Sequence, residues 1–414
     1  MKNIFILILI GLLNCSMALA TNSKNCLECH AEWEEEDGPT HLFSKDIHFQ
    51  KGLGCVECHG GDTEAEDMDG VRSAKNYRGV PKFNEVPNFC ARCHSDATYM
   101  RQHNPSLPVD QLSKYKTSVH GQRLSKHKDK KVATCISCHT VHQIGDGKLP
   151  HSSTHPLNVP ETCGKCHSNK DYMAEYGIAT NQLDDFKASV HGHALLVNKD
   201  LGAPACNDCH SNHGAAPPGV DNLALVCGNC HAIESELFLK SPHMKAYAEN
   251  DFPMCATCHS NHRIEHPSDK MIGSTEPGIC ADCHDHDDGT RGSQTADSVR
   301  NAINALVAAH EAALTVLKDA QAKGMMTTNE EFLLKEVDQS LIQTRTHIHS
   351  FDASVVVPKA EEGIAKADSV KVKSAELIDE YYFRRKGLGG ATLVITFLAI
   401  LLYLRIRRIE KPKG

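Results

Sequence analysis

The chain has 414 residues, a formal net charge of −8 and an aromatic fraction of only 5%, yet it contains 19 cysteines and 27 histidines. These proportions indicate that something other than side chains fills the interior, and they argue against a disulfide scaffold, which would be short and poor in histidine. The dispersed charge argues against a nucleic-acid partner. The hydrophobic fraction of 40% argues against disorder.

The N-terminal residues 1–20 have the pattern of a secretory signal peptide. An apolar run over residues 4–13 is too short to span a bilayer, and residues 18–20 supply small side chains at the cleavage point. We therefore expect a mature chain that begins at Thr21. A lipid-bearing Cys15 is the alternative, and the preceding Asn14 disfavours it.

Eighteen of the 19 cysteines fall into nine Cys-x-x-Cys-His motifs. Chance would give on the order of 0.1 copies of this pattern at such a composition. The paired cysteines are Cys26 and Cys29, Cys55 and Cys58, Cys90 and Cys93, Cys135 and Cys138, Cys163 and Cys166, Cys206 and Cys209, Cys227 and Cys230, Cys255 and Cys258, and Cys280 and Cys283. The histidines that follow them are His30, His59, His94, His139, His167, His210, His231, His259 and His284.

The spacing of this motif suits covalent attachment of haem. Two cysteines three residues apart can each form a thioether with one of the two vinyl groups, and the next residue, histidine, is then held under the iron as its proximal ligand. Zinc is the main alternative, but a zinc site does not require a histidine after every second cysteine. Disulfides within each pair are disfavoured for the same reason.

Motif by motif, residues 26–284 resemble a multihaem c-type cytochrome. The resemblance implies nine covalently attached c-type haems, each with its iron, and a mostly α-helical and irregular fold around stacked haems. A haem-binding part followed by long helices also resembles, in architecture, the pentahaem nitrite reductase and hydroxylamine oxidoreductase group. The lysine-ligated motif of those nitrite reductases is absent, because all nine motifs here end in histidine.

Internal repeats group the motifs into pairs. Cys163 follows Cys90 by 73 residues, and Cys206 follows Cys135 by 71, within two long segments that align residue by residue. A shorter copy and a more divergent copy hold two further pairs of motifs, which begin at residues 227 and 26. We therefore interpret this part of the chain as four two-haem modules followed by a lone ninth motif at Cys280.

Further histidines recur in register with the motifs, and we interpret them as distal iron ligands, since imidazole is the natural second ligand of haem iron. Those that precede the second motif of each module are His48, His120, His191 and His243. Those that stand three residues after the histidine of that motif are His142, His213 and His262. In the first module, Asp62 occupies this last position.

Nine haems with two histidines each need two more distal ligands. His310 lies at the centre of an apolar helical stripe, and it is either a distal ligand or a core histidine. His347 and His349 flank a second stripe on opposite sides, so that periodicity does not choose between them. The other candidates are His41, His103, His151, His155, His193, His266 and His286.

The C-terminal part of the chain is predicted to be helical. Apolar residues recur at helical spacing from Val299 to Leu317 and again from Leu334 to Ile348, with a turn at Gly324 between the two stripes. Pro358 suits the first position of a third helix.

A transmembrane helix is predicted at residues 387–406, since residues 388–404 carry no charge and basic residues flank them. The larger basic cluster follows this helix, which predicts a cytoplasmic tail at residues 407–414. The remaining predicted domains are a nonahaem cytochrome domain over residues 21–290 and a helical domain over residues 291–386.

These features favour an electron carrier on the outer, periplasmic face of the cytoplasmic membrane. Its expected partners are a membrane quinol-oxidising complex and other cytochromes among periplasmic or outer-envelope acceptors, because two-histidine ligation leaves no iron position for a substrate. The alternative is a reductase of a small nitrogen or sulfur oxyanion with one five-coordinate haem. Its iron would be the one at Cys55, whose module has no histidine at the last position, or the one at Cys280.

Overall fold

The computed structural model describes residues 23–32, 38–219 and 223–410. The predicted signal peptide and Cys15 lie outside the described residues. Within them the chain forms helices, turns and irregular segments, and no β-strand occurs. The prediction of a mostly α-helical and irregular fold with long C-terminal helices is therefore confirmed.

The helices before residue 290 are short, and those after it are long. The short α-helices are Lys24–Ala31, Pro39–Phe43, Ile47–Gln50, Cys55–His59, Met68–Ser73, Val86–His94, Ala97–His103, Gln111–Thr117, Val119–Lys126, Cys135–His139, Val159–His167, Lys170–Met173, Gln182–Ala188, Val190–Gly192, Cys206–His210, Leu223–Gly228, Ala232–Leu239, Pro242–Glu249 and Cys255–His259. The first, second and third long helices are Arg291–Ala322, Thr328–His347 and Ala353–Ile409.

The chain divides into two compact units. The first comprises Met1–Gly219 and His259–His266, and the second comprises Val220–Cys258 and Pro267–Gly414. The domain boundary that we expect at residue 290 therefore falls inside the second unit, which combines the last motifs with the long helices.

The two long modules fold alike. Helices Val86–His94 and Val159–His167 each end on the first motif of their module, and helices Cys135–His139 and Cys206–His210 each contain the second motif. The residue after the second motif has a positive φ in all four modules, and it is Gly60, Thr140, Ser211 or Ser260. This turn ends the motif helix abruptly and turns the chain away from the attachment cysteines.

The long helices enclose an apolar core. Leu306 of the first, Val337 of the second and Val370 of the third are fully buried in one cluster. The third helix approaches closely at Gly363, where an added Cβ would lie 2.7 Å from a Leu306 methyl carbon. The predicted apolar stripes therefore face each other across these helices.

The third long helix begins earlier than predicted. Asp352 caps it by accepting a hydrogen bond from the Ser354 N–H, so Pro358 lies inside the helix and the prediction of Pro358 at its first position is wrong. The helix continues without a break to Ile409. It contains an 18-residue window with a mean hydropathy of 2.1 and no buried residues, and it is long and apolar enough to cross a membrane.

We predict that Leu306→Ala lowers the free energy of unfolding by about 2–5 kcal/mol, because it leaves a cavity where the three long helices meet. Ile342→Ala is the matched control, since Ile342 is 56% exposed on the second long helix. It should change stability by about 0.5 kcal/mol or less. Denaturant unfolding of the solubilised protein, followed by circular dichroism, measures both, and equal effects would contradict this account of the core.

Candidate haem-ligation sites

Histidine rings meet in pairs beside the motifs. Each pair joins the histidine of a motif to one of the histidines predicted as distal ligands, and all twelve side chains are half-buried. The separations of the ring centres are 5.9 Å for His48 and His94, 6.1 Å for His142 and His59, 6.1 Å for His120 and His167, 6.1 Å for His213 and His139, 5.9 Å for His262 and His210, and 6.0 Å for His243 and His284.

This separation fits an iron atom between two imidazoles. A metal lies about 2 Å from a ligating imidazole nitrogen, and that nitrogen lies about 1 Å from its ring centre, so two opposed rings should be about 6 Å apart. In the part of the chain that the structure describes, no three His, Cys, Asp or Glu side chains converge as a metal-ion site. None of the 18 described cysteines forms a disulfide. The donor set thus fits ligation of one haem iron by the two imidazoles of each pair.

Hydrogen bonds orient several of these rings. Nδ1 of His59 lies 2.9 Å from the Gly79 carbonyl oxygen, and Nδ1 of His210 lies 3.2 Å from that of Ala216. Nδ1 of His48 lies 2.8 Å from a carboxylate oxygen of Asp46. In each case Nδ1–H donates, which leaves Nε2 as the nitrogen that can bind iron.

Burial favours the neutral form of these imidazoles. Desolvation is the largest cause that lowers the pKa of His94, His120, His139, His167, His213, His243 and His262. The nearby imidazole is a further cause for most of them, because two positive charges so close together repel each other. A neutral imidazole is the form that binds a metal.

The histidine pairs in the first unit cross from one module to the next. His48 of the first module faces His94 of the second, and in return His142 of the second module faces His59 of the first. The same exchange joins the second and third modules through His120 and His213. A ring of the fourth module, His262, faces His210 of the third. Each module therefore contributes rings to the sites of its neighbours.

A backbone hydrogen bond accompanies each exchange. The residue before the distal histidine donates its N–H to a carbonyl just beyond the second motif of the next module. The three bonds are Ile47 to Ile144 at 2.8 Å, Val119 to Ala215 at 3.0 Å and Val190 to Ile264 at 2.8 Å. This repeated bond fixes the register in which consecutive modules pack.

The helix that carries the distal histidine starts in the same way in both long modules. Ser118 accepts a hydrogen bond from the Gly121 N–H and donates one to the Tyr115 carbonyl, and Ser189 repeats this arrangement. At Gly121 an added Cβ would lie 2.0 Å from the Tyr115 carbonyl oxygen. The distal histidine thus stands on a tight backbone crossing that leaves no room for a side chain.

Attachment cysteines of consecutive motifs lie side by side. The first cysteines of the two motifs in each module neighbour each other, and these pairs are Cys26 and Cys55, Cys90 and Cys135, Cys163 and Cys206, and Cys227 and Cys255. Burial raises the pKa of Cys58 to about 11, with the neighbouring Cys93 as a further cause. Attached haem would convert these thiols to thioethers. What the contacts establish is therefore that consecutive attachment sites lie close together.

In the second unit, the ninth motif lies against the first long helix. An added Cβ at Gly292, in the first turn of the first long helix, would lie 2.2 Å from the His284 ring. Phe351, just before the third long helix, packs on the opposite ring of the pair, His243, at 4.0 Å between ring centres. The long helices therefore shape this ligation site directly.

The remaining predicted ligands lie in different surroundings. His191 lies in the first turn of a helix that Ser189 caps, and His120 lies in the first turn of the helix that Ser118 caps. Nε2 of His310 lies 2.8 Å from the Asp338 carboxylate. This contact occupies the nitrogen that would bind iron, and we therefore do not include His310 among the proposed ligands. Nδ1 of His347 and of His349 each hydrogen-bonds to a backbone carbonyl.

Several other candidates are engaged elsewhere or exposed. His286 lies 2.9 Å from the Asp297 carboxylate, and His103 stacks on Tyr99. His155 is buried and accepts a hydrogen bond from the Leu157 N–H at Nδ1, which places its proton on Nε2. His41, His151 and His193 are exposed, and His266 has an interacting partner.

Sequence reasoning missed Asp46, which is 1% exposed and contacts His48. The signal was present, because Asp46 stands two residues before its histidine, where the other modules carry Ser118, Ser189 and Ser241. A buried carboxylate in that register could have been singled out.

Two families match parts of the chain. The family described as doubled CXXCH motif matches residues 245–289, and the family described as cytochrome c554 and c-prime matches residues 13–60. Comparisons with curated proteins and with solved structures give no match. Together with the repeated motif, the two matches support a multihaem c-type cytochrome.

We predict that Gly121→Ala displaces His120 and converts one haem iron to a high-spin form, because the added methyl group would collide with the Tyr115 carbonyl. Gly214→Ala is the matched control. Gly214 also follows a distal histidine, but its added Cβ would find its nearest neighbour at 3.5 Å, an ordinary contact. Electron paramagnetic resonance should show the high-spin signal in the first variant alone, and its absence there would contradict the role of this crossing.

Proposed function

We propose that the protein is a membrane-anchored electron carrier that holds nine c-type haems and moves electrons between a membrane quinol-oxidising complex and periplasmic or outer-envelope acceptors. The observation that carries the proposal is the set of opposed imidazole pairs about 6 Å apart. When bound, haem supplies one-electron chemistry. The chain supplies ligands, spacing and shielding from water.

The proposed haem-binding residues are the 18 motif cysteines, which attach the haems, and the nine motif histidines and seven histidines in register, which bind the irons. Six of those seven stand opposite a motif histidine within one unit or the other. His191 repeats the local structure of His120, and we assign it the same role. Ligation by two imidazoles fills both axial positions of iron.

Proximity of consecutive motifs supports a continuous route within each unit. In the first unit, Cys58 neighbours Cys93 between modules, and Cys138 likewise neighbours Cys163. In the second unit, Cys258 neighbours Cys280. With the contacts inside each module, these pairs place every attachment site of a unit beside the next along the chain, which is the arrangement that a carrier needs.

The reductase alternative has less support. This alternative places a five-coordinate iron at Cys55 or at Cys280, where the sequence offers no obvious second ligand. In the structure His142 faces His59 of the first of these motifs, and His243 faces His284 of the other. Both sites therefore have an imidazole on each side, which favours a carrier over a catalyst.

The third long helix supports the anchor. Side chains over residues 388–404 are exposed, among them Leu393 at 74% and Leu402 at 62%. Exposure of so many large apolar side chains on one helix is costly in water and favourable in a bilayer. The basic residues beyond this stretch favour a cytoplasmic end, which would place the haem-binding part on the periplasmic side.

Replacement of a distal histidine tests the carrier role. We predict that haem quantitation and intact mass give nine haems per chain and that the seven irons assigned a distal histidine are low-spin. His120→Ala should then convert one iron to a high-spin form that binds carbon monoxide, because loss of an axial imidazole opens a coordination position.

His127→Ala is the control, since His127 is exposed at the end of the same helix. It should leave the spectrum unchanged. A wild-type protein with a high-spin haem that reduces nitrite or hydroxylamine would overturn the carrier proposal in favour of the enzyme. A count of six haems or fewer, or stoichiometric zinc, would overturn the cofactor assignment.

Truncation tests the anchor. A chain that ends after Phe383 lacks the apolar stretch and should be released from membranes as a soluble red protein, while the full chain stays with the membrane fraction. Fractionation followed by haem staining measures both. A full-length chain found in the soluble fraction, or a truncated chain retained by membranes, would contradict the anchor.

A further inference from the structure

Asp46 is a buried carboxylate next to a proposed haem ligand. It is 1% exposed, and its side chain accepts three hydrogen bonds. The donors are the backbone N–H of His48 at 2.9 Å, Nδ1 of the same histidine at 2.8 Å and the backbone N–H of Ile144 at 2.7 Å. No lysine or arginine is among these donors, so the carboxylate faces the imidazole without a counter-charge from a base.

The other modules place serine at this position. Ser118 and Ser189 bond to backbone groups of their own helices and crossings, and Ser241 makes no capping bond. Each of these serines begins the helix that carries the distal histidine. A carboxylate is therefore not required to build this helix start, and Asp46 gives the first module something that the serines do not.

We propose that Asp46 is a positioning residue that lowers the reduction potential of the haem attached at Cys90 and Cys93. A carboxylate that accepts a hydrogen bond from Nδ1–H makes the imidazole a stronger donor of electrons through Nε2, and a stronger donor favours ferric over ferrous iron. The inference rests on the proposed ligation of this haem by His48 opposite His94. Its effect is local, because the described contacts of Asp46 run to His48 and to the adjoining segment at Ile144.

The proposal predicts that this haem differs from those whose ligands bond to neutral groups. Nδ1 of His59 and of His210 bonds to a backbone carbonyl, which carries no net charge. The attachment site at Cys90 and Cys93 lies between those at Cys58 and Cys135. A lowered reduction potential at this position changes the energy of an electron partway along the first unit's route, because electrons must pass this haem to move between the first module and the rest.

The ring planes make this haem recognisable. The planes of His48 and His94 are inclined at 80°, whereas those of His139 and His213 are inclined at 12°. Nearly perpendicular imidazoles leave two iron d orbitals almost equal in energy, which gives low-spin ferric haem a strongly anisotropic resonance, while nearly parallel rings give a rhombic one. The pair of His243 and His284, at 83°, is expected in the same anisotropic class.

Asp46→Ser in the full-length, haem-loaded protein tests the proposal, because serine starts this helix in the other modules. We expect the ratio of reduced to oxidised haem at one site to rise about tenfold at fixed potential, which equals a shift of 59 mV for a one-electron couple. Spectroelectrochemical titration measures the potentials, and one anisotropic resonance should change with the shifted site. Asp67→Asn is the matched control, since Asp67 caps a helix through the Gly70 N–H and should leave all potentials unchanged.

Each outcome decides. Unchanged potentials in a low-spin Asp46→Ser protein would overturn the proposal. So would a high-spin iron in that variant, since it would show that the carboxylate merely holds His48 in place. His48→Ala separates this failure from a failure of the proposed ligation. If all irons stay low-spin without His48, the ligand assignment itself is wrong, and if one becomes high-spin, the ligation stands whatever Asp46 does.

Discussion

Pairing of two imidazoles at a fixed separation is the constraint on which the haem-binding part depends. The rings must stand about 6 Å apart for one iron to bind both. Because the two rings of a pair come from different modules in the first unit, meeting this distance also fixes where the modules lie. The apolar residues of this part are few, and the bonds from Ile47, Val119 and Val190 to the next module keep the register that the rings require.

Much of this arrangement could be predicted from the sequence, because both the motif and its repeats are local patterns. The register of the repeats predicts which histidines lie opposite motif histidines, but not which motif each one faces, since a linear spacing does not state which module lies opposite. Asp62 in place of a histidine makes Cys55 one of two candidate sites for an open iron in the alternative interpretation, whereas in the structure His142 of the next module faces His59. The apolar stripes predict the long helices. They do not predict that the third helix begins after Asp352, because that start depends on a side-chain cap, whereas Pro358 indicates a later start.

The second unit combines a candidate haem-ligation site with the helix that is long and apolar enough to cross a membrane. The first long helix presents Gly292 to His284, and Phe351 at the base of the third packs on His243. Arg345 of the second long helix adds a two-bond ion pair with Asp269, at 2.9 and 2.7 Å. The helix that is long and apolar enough to cross a membrane thus begins two residues after Phe351, which packs on His243 of this candidate site.

Exchange of histidine rings between neighbours gives the modules the character of a one-dimensional array. The histidine after a second motif serves the module before it, as His142 serves His59 and His213 serves His139. The first module has Asp62 at the corresponding position, where its carboxylate accepts a hydrogen bond from the Glu64 N–H. An array of this kind can grow by duplication of internal modules, but deletion of the first module would leave His142 facing no motif and His94 without its partner.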